Sequence, residues 1–576
     1  MLSPQCAIQS TCASALSVIR GLRSFRLILL FALAVLFSLL NALKPMHIDD
    51  AAGYYHAAQV AKQPLNPYGF DIFWYQHPEP AYKEPFPPVL PYWWALAIRL
   101  FGEQPFLWKL WLVPFSLLFV FACDELFRRF ATGLEKPLLI MTVLSPTFLP
   151  SLNLMPHIPS LALSLCALIV FLTASDRSSP LLAALAGLLA GLAIETKYSG
   201  FLALGILLLY ALIFRKIRLW LLTASVTCLV FVSWETLVAL LYKSSFPLYH
   251  LYHLHGGNEM LLHKTRLILP LLTILGGVAP AVALLGLTAL GLHRWVVLTS
   301  SVFVLLGYVL LACVEATVTP RLSLAPVLFG HVKISTSRLE LHHVIFGLFG
   351  LVLCGSMTAV IRRLRHMPGN STDWFLVLWL AVEIAGYFAL TPFVAVRRVM
   401  GIVVVLTVLA GRLAARSCRP LAETVLIWIV VFVGVVLGIG FWAVDVRDAH
   451  TIKQGAESAA HYVHQREPGA TVWYAGHWGF QYYAERAGMV PVVPDQSQLR
   501  KGHWLVVPDR LDQQTLSVRK DRTELISQLS LNDSIPLQTV PWYYSGRTPL
   551  HHLEGPRLIV FIYRITEDFT PSSILP

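Results

Sequence analysis

Charge is scarce in this chain. Of its 576 residues 13% are Asp, Glu, Lys or Arg, where a soluble domain carries roughly a quarter. Cysteine is scarce too: eight residues, at 6, 12, 123, 166, 228, 313, 354 and 418, with no CxxC pair and none in the last stretch of chain. That excludes a disulfide framework near the C-terminus and the spacing of a structural zinc site. No GxxxxGK[ST] loop is present to cradle the phosphates of a soluble nucleotide. A basic stripe with interleaved aromatics, the footprint of a nucleic-acid binder, is missing as well. No cofactor, no metal and no nucleic-acid partner are therefore expected.

What is abundant is apolar sequence, 56% of the chain, gathered in runs near the length that crosses a bilayer. The fold expected is a polytopic α-helical membrane protein with about thirteen spans, each helical because lipid offers the backbone no other partner. They are read at 25–43, 106–127, 137–153, 158–174, 180–196, 199–214 and 219–242. The remainder fall at 267–292, 295–314, 342–360, 372–391, 398–412 and 421–443. Basic residues at alternate span ends (Arg20/Arg23/Arg26, Arg128/Arg129, Arg215/Lys216/Arg218, Arg362/Arg363/Arg365 and Arg412/Arg416/Arg419) set those ends inside. The net charge of +12 is this positive-inside bias. Residues 1–24 then read as a cytoplasmic tail rather than a cleaved signal peptide. The first loop, 44–105, and the tail, 444–576, lie outside.

The outside regions carry the polar chemistry. "HIDDAAGYYHAAQVAK" reads as a short helix and "PPVLPYWWALAIRLFGE" as an amphipathic one. Trp93, Trp94, Trp108 and Trp111 suit the membrane–water interface. In the tail, "ATVWYAG", "HWLVVPD" and "RLIVFIYRI" read as strands with a helix at "GFQYYAERAG", a small α/β domain after a membrane body at 25–443. No solenoid-type repeat is visible.

Asp49 and Asp50 stand just past the first span. They can be solvated carboxylates at the positive end of the following helix. Alternatively, one is a base that takes a proton from a hydroxyl at the membrane surface. Neighbours on a helix point about 100° apart, so one shared pocket admits only one of them.

The order acidic pair, tyrosine, "NPYGF", "PPVLPYWWALAIRLFGE" resembles the GT-C membrane glycosyltransferases, and in particular bacterial proteins of the protein O-mannosyltransferase and aminoarabinose transferase type. "SPTFLPSLNLMPHIPSLAL", "GLAIETKYSGFLAL", "TPFVAVRRVMGIVVVL" and "YAGHWGFQYYAERAG" resemble later landmarks, so the likeness spans nearly the whole chain. The resemblance implies a GT-C-like body with a C-terminal periplasmic domain in a bacterial inner membrane. It implies sugar transfer, with inversion, from a polyprenyl-phosphate donor to a hydroxyl of a protein, lipid or glycan acceptor. Asp49 of the pair Asp49/Asp50 would be the base; Lys83, Lys197, Arg397 and Arg398 would meet the donor phosphate. Tyr54, Glu84, His157 and Tyr198 would meet substrate. The bland alternatives are snorkelling and pairing, for example Lys197 with Glu195.

Two positions depart from the resemblance. Phe86 stands where aminoarabinose transferase-type relatives carry Lys before Pro-Pro, and His157 where relatives commonly carry Asp. His477, Trp478 and Tyr482 could face a sugar or form a packed core. Two rival functions remain: a secondary transporter or flippase, which wants ionisable residues at mid-membrane and broken helices, and a scaffold that has lost catalysis.

Overall fold

The computed structural model describes residues 25–83, 86–244, 247, 264–314, 317–318, 339–367, 370–417, 421–510, 514–553 and 555–573. Among these, nine helices are long and apolar enough to cross a membrane, ten if one bent pair counts as a span. That is fewer than the thirteen runs read from the sequence, and prolines account for part of the difference. The run at 137–153 is a nine-residue helix, Glu135–Val143, followed by an irregular stretch through Pro146 and Pro150. The run at 267–292 bends by 77° between Ile268–Val278 and Pro280–Ala289. Pro180–Ile194 and Tyr198–Ile213 are shorter apolar helices. The span read at 398–412 begins at Met400, leaving Arg397 and Arg398 in a 3-10 turn, Val396–Arg398, just before it.

Small residues let the helices close on one another. A Cβ on Gly276 would meet the Phe346 carbonyl at 2.0 Å, and one on Gly350 the Leu272 carbonyl at 2.3 Å. These two glycines therefore set the contact between Ile268–Val278 and Leu341–Arg365.

The first loop forms two helices, Asp50–Lys62 and Val89–Phe101, packed on each other beside a short hairpin, Asp71–Phe73 with Pro78–Pro80. The helix Leu421–Arg466 is continuous for 46 residues and runs through residue 444 into the C-terminal region. There a five-stranded sheet has the order Val490–Pro491, Val472–Tyr474, Trp504–Pro508, Leu558–Ile565, Thr523–Leu531. The first three strands are parallel and the last two antiparallel to their neighbours. Period-two alternation divides its faces. Trp504 and Val506 join the main core, which includes Ala456, Ala459 and Val463 of the long helix, whereas Leu505 and Val507 line a small core on the other face.

The first loop and the C-terminal region share one side of the molecule. The Met46 amide donates to the Tyr483 hydroxyl at 2.9 Å, and His47 Nε2 lies 3.1 Å from the Tyr544 hydroxyl. Lys44 Nζ, fully buried, pairs with Asp445 Oδ2 at 2.6 Å and donates to the Pro150 carbonyl at 2.6 Å.

Candidate active site

Asp49 and Asp50 face different surroundings. The chain enters the loop helix through Ile48, whose φ of 48° is a left-handed conformation costly for a β-branched residue. Neither aspartate caps the helix with its own side chain at the Asp49 N-cap position. Asp50 is fully buried, 2.8 Å from Lys109 Nζ, and accepts the amides of Leu154 at 2.7 Å and His47 at 3.1 Å. Burial alone would raise its pKa. Lys109 and His47 overcome that and hold the carboxyl well below the usual range. Lys109 in turn donates to the carbonyls of Lys44 and Pro45. Asp50 is thus saturated.

Asp49 is one-fifth exposed and pairs with a single guanidinium, that of Arg397. Arg397 and Arg398 both stand over the Phe393 ring, at 5.4 and 5.1 Å. Beyond them a cavity of about 110 Å³ opens between the helices His157–Arg177, Phe201–Ile213, Asn370–Leu390 and Met400–Ser417. His157, Lys197, Arg397 and Arg398 line its mouth, and Leu165, Leu168, Ile206 and Trp379 line it deeper in. Leu168 lies about 16 Å along its helix from His157, at 1.5 Å per residue. The cavity therefore passes from a cationic mouth to a largely apolar interior that also holds the Glu383 carboxylate.

The mouth holds more positive charge than its neighbours balance. The side chains of Lys197 and Arg398 have neither hydrogen bond nor ion pair among the described residues; Arg397 Nε, Arg398 Nε and both ring nitrogens of His157 are buried and unpartnered. Burial, then Arg398 and Arg397, push Lys197 well below the ordinary lysine pKa, with Asp49 pulling weakly the other way. Burial, then Arg397, lower Arg398 to about 9, opposed by Asp49 and Tyr387. An anion seated here would relieve both. Lys197 does not pair with Glu195, whose two carboxylate oxygens are buried without partners. The backbone ties this turn to the first loop instead, the Val89 amide donating to the Glu195 carbonyl at 3.1 Å.

The other residues singled out in the sequence lie elsewhere. Lys83 is half-buried and does not line the cavity. Tyr54 stacks on Trp108 at 5.0 Å and meets Tyr482 edge-on. Tyr198 donates to Glu235 Oε1 at 3.1 Å. Glu84 falls outside the described residues. His477, Trp478 and Tyr482 are buried, with His477 Nδ1 3.1 Å from Gln481 Oε1, so they form a packed core rather than a sugar-facing surface.

Sequence reasoning passed over Glu383 and Tyr387, which also line the cavity. Glu383 accepts from Trp379 Nε1 at 3.1 Å, and the Tyr387 hydroxyl is buried without a partner. A lone carboxylate inside the apolar run "LWLAVEIAGYF" was the available signal. Among the described residues, one group has metal-ligating composition and spacing: Glu340, His342 and His551, which do not line the cavity.

No protein-family model and no curated protein matches the chain. Solved structures do. The chain is similar to the Archaeoglobus fulgidus oligosaccharyltransferase in complex with Zn and sulfate, at 14% identity over 83% of this chain and 67% of that one, with a TM-score of 0.45. It is similar to ArnT from Cupriavidus metallidurans bound to undecaprenyl phosphate, at 14% identity over 94% and 98%, TM-score 0.43. A third is the A. fulgidus oligosaccharyltransferase AglB with an inhibitory peptide and a dolichol-phosphate, at 13% identity over 84% and 69%, TM-score 0.46. These neighbours are of the GT-C class that the motifs resemble.

Proposed function

We propose that the chain is a membrane glycosyltransferase. It takes a sugar from a polyprenyl-phosphate donor held in this cavity and passes it to a hydroxyl acceptor. The surface involved is the one that bears the C-terminal region. By the basic bias of the opposite span ends, that is the outer face of a bacterial inner membrane. The observation that carries the reading is the pair of half-buried cations, Lys197 and Arg398, whose side chains have no hydrogen-bond or ion-pair partner among the described residues, above a largely apolar interior. A phosphate on a polyprenyl chain has the matching polarity. Its anion meets the cations and its first isoprene units meet Leu165, Leu168 and Ile206.

Asp49 is the base. The acceptor oxygen attacks the anomeric carbon on the face opposite the phosphate, and its proton passes to Asp49. The bond between that carbon and the phosphate oxygen breaks. The electron pair leaves on the lipid phosphate, where Lys197 and the Arg398 guanidinium stabilise it. The configuration at the sugar inverts. Arg397 bridges the two halves, pairing with Asp49 while lining the donor cavity. His157 adds two nitrogens with no internal partner, suited to the donor's phosphate or sugar hydroxyls.

Release of polyprenyl phosphate from lipid-linked sugars by purified protein in liposomes tests this. Wild type should release it with an acceptor present, and Asp49→Asn should not. A specific observation favours the second reading, a lipid flippase: Glu383 within a span and the 77° break between Ile268–Val278 and Pro280–Ala289 are features of transporters. Under that reading, donor lipid crosses the bilayer with its sugar attached and no phosphate is released.

A further inference from the structure

We propose that Glu340, His342 and His551 form a binding site for a divalent transition-metal ion, zinc by ligand type, that fastens the C-terminal region to the membrane body. Glu340 ends a two-residue strand paired with Thr317–Val318 and immediately precedes the helix Leu341–Arg365. His551 comes from the far end of the chain, on a strand paired with Leu537–Gln538. Donor atoms of the three residues lie within 4.8 Å of one another. Glu340 Oε2 is 2.8 Å from His342 Nε2 and 2.9 Å from His551 Nε2. The donors of a tetrahedral zinc site lie roughly 3.3 Å apart for bonds near 2.0 Å, so small side-chain rotations admit the ion.

With its imidazoles neutral, the cluster is left unsatisfied by hydrogen bonds in two places. His342 is almost wholly buried, and its Nε2, aimed at Glu340, makes no hydrogen bond. His551 Nδ1 lies 2.6 Å from the His552 carbonyl, which can only accept, so the proton of a neutral ring sits on Nδ1. Its Nε2 then turns a lone pair toward a carboxylate oxygen that also only accepts. A cation between the two answers both lone pairs, and the Nδ1–carbonyl contact is the outer-shell bond that orients a metal-bound histidine. Trp542 fixes the ring from its face, stacked at 4.2 Å. His343 Nδ1, 3.9 Å from the same carboxylate oxygen and also without a hydrogen bond, lies beside this group but outside it. Two imidazoles with one carboxylate suit Zn²⁺ and its late first-row neighbours rather than Mg²⁺ or Ca²⁺.

The full chain, tag removed and stripped with EDTA in detergent, should bind one Zn²⁺ per molecule by isothermal titration. Co²⁺ should give the intense visible bands of a tetrahedral N/O site. Saturating zinc should raise the thermal midpoint by several degrees. His551→Ala and His342→Ala should each lower zinc affinity at least tenfold and abolish the cobalt bands. Glu340→Gln, close in shape and so able to fold, should do the same more mildly. Unchanged stoichiometry and affinity in all three variants would overturn the site, as would a wild type whose zinc uptake is no tighter than theirs. None of these readouts involves sugar transfer, so the proposal stands or falls apart from the reading of the cavity.

Discussion

Buried positive charge occurs in two regions of this molecule, and they are built in opposite ways. Where the first loop meets the C-terminal region and the membrane body, each buried lysine has its carboxylate: Lys44 with Asp445 and Lys109 with Asp50. The remaining capacity is filled by carbonyls, amides and hydroxyls, such as the Tyr544 hydroxyl on Asp445 at 2.8 Å. At the cavity mouth, Lys197 and Arg398 have no such partner. The first arrangement holds parts together. The second holds unfavourable charge that a ligand can neutralise; Asp50 belongs to the first, and Asp49, paired with Arg397 at the cavity, is the residue proposed as the base.

The largest effect should come from breaking the balanced region. Asp50→Asn leaves Lys109 buried without its counter-ion and should destabilise the protein by about 3–5 kcal/mol, read as a large fall in thermal midpoint in detergent. Asp49→Asn, next in sequence, should leave that midpoint nearly unchanged. Turnover, however, should drop by roughly 10²–10⁴, the usual worth of a positioned base. Equal thermal losses in the two variants would erase the contrast.

Donor binding comes next in size. Arg398→Ala should raise the donor KM about 10–100-fold, as expected for losing a charged hydrogen bond of roughly 1.5–3 kcal/mol. Donor-free stability should stay the same or rise, because an unbalanced buried charge is removed. The same substitution at Lys109, where the charge is balanced, should do the reverse.

The pH dependences should separate as well. Asp50 has a folded pKa below its ordinary 3.8. Its contribution is full above that value and is lost as pH falls through and below it. Lys197 is held well below its ordinary 10.5 in the donor-free protein. Between its folded pKa and that value the unfolded chain binds more protons, so this group's penalty on stability lifts as pH rises. Donor binding requires the charged form, so affinity should fall as pH rises through the folded pKa toward 10.5, by up to tenfold per pH unit. Binding titrations of polyprenyl phosphate across pH 7–10 would show it. The smallest effect belongs to Lys83→Ala, within about twofold in KM, because its side chain is off the cavity wall.

Much of this was legible in the sequence for physical reasons. Apolar runs and period-two strands each have a local cause, and the helix at Trp478–Arg486 and the strands at Trp504–Pro508 and Leu558–Ile565 appear where those causes put them. Span number was harder, because a run such as 137–153 contains prolines that end a helix without ending its hydrophobicity. In the site, His157, Lys197, Arg397 and Arg398 come together from three distant segments, whereas Tyr54 and Tyr198 point into other packing and Lys83 does not line the cavity. Which of two adjacent aspartates is saturated depends on Lys109 and Leu154, contacts no local pattern encodes. The Glu340–His342–His551 cluster is equally non-local, His551 lying 211 residues along the chain from Glu340.

The most direct test is the binding of sugar-free polyprenyl phosphate, the proposed leaving product, to wild type and to a Lys197→Ala/Arg398→Ala variant, followed by thermal shift and native mass spectrometry. The account predicts a clear upward shift and one bound lipid for wild type. The variant should be at least as stable without lipid, yet show no shift. If the variant binds and shifts as wild type does, the unpaired cations are not the donor-phosphate site and the account fails at its centre.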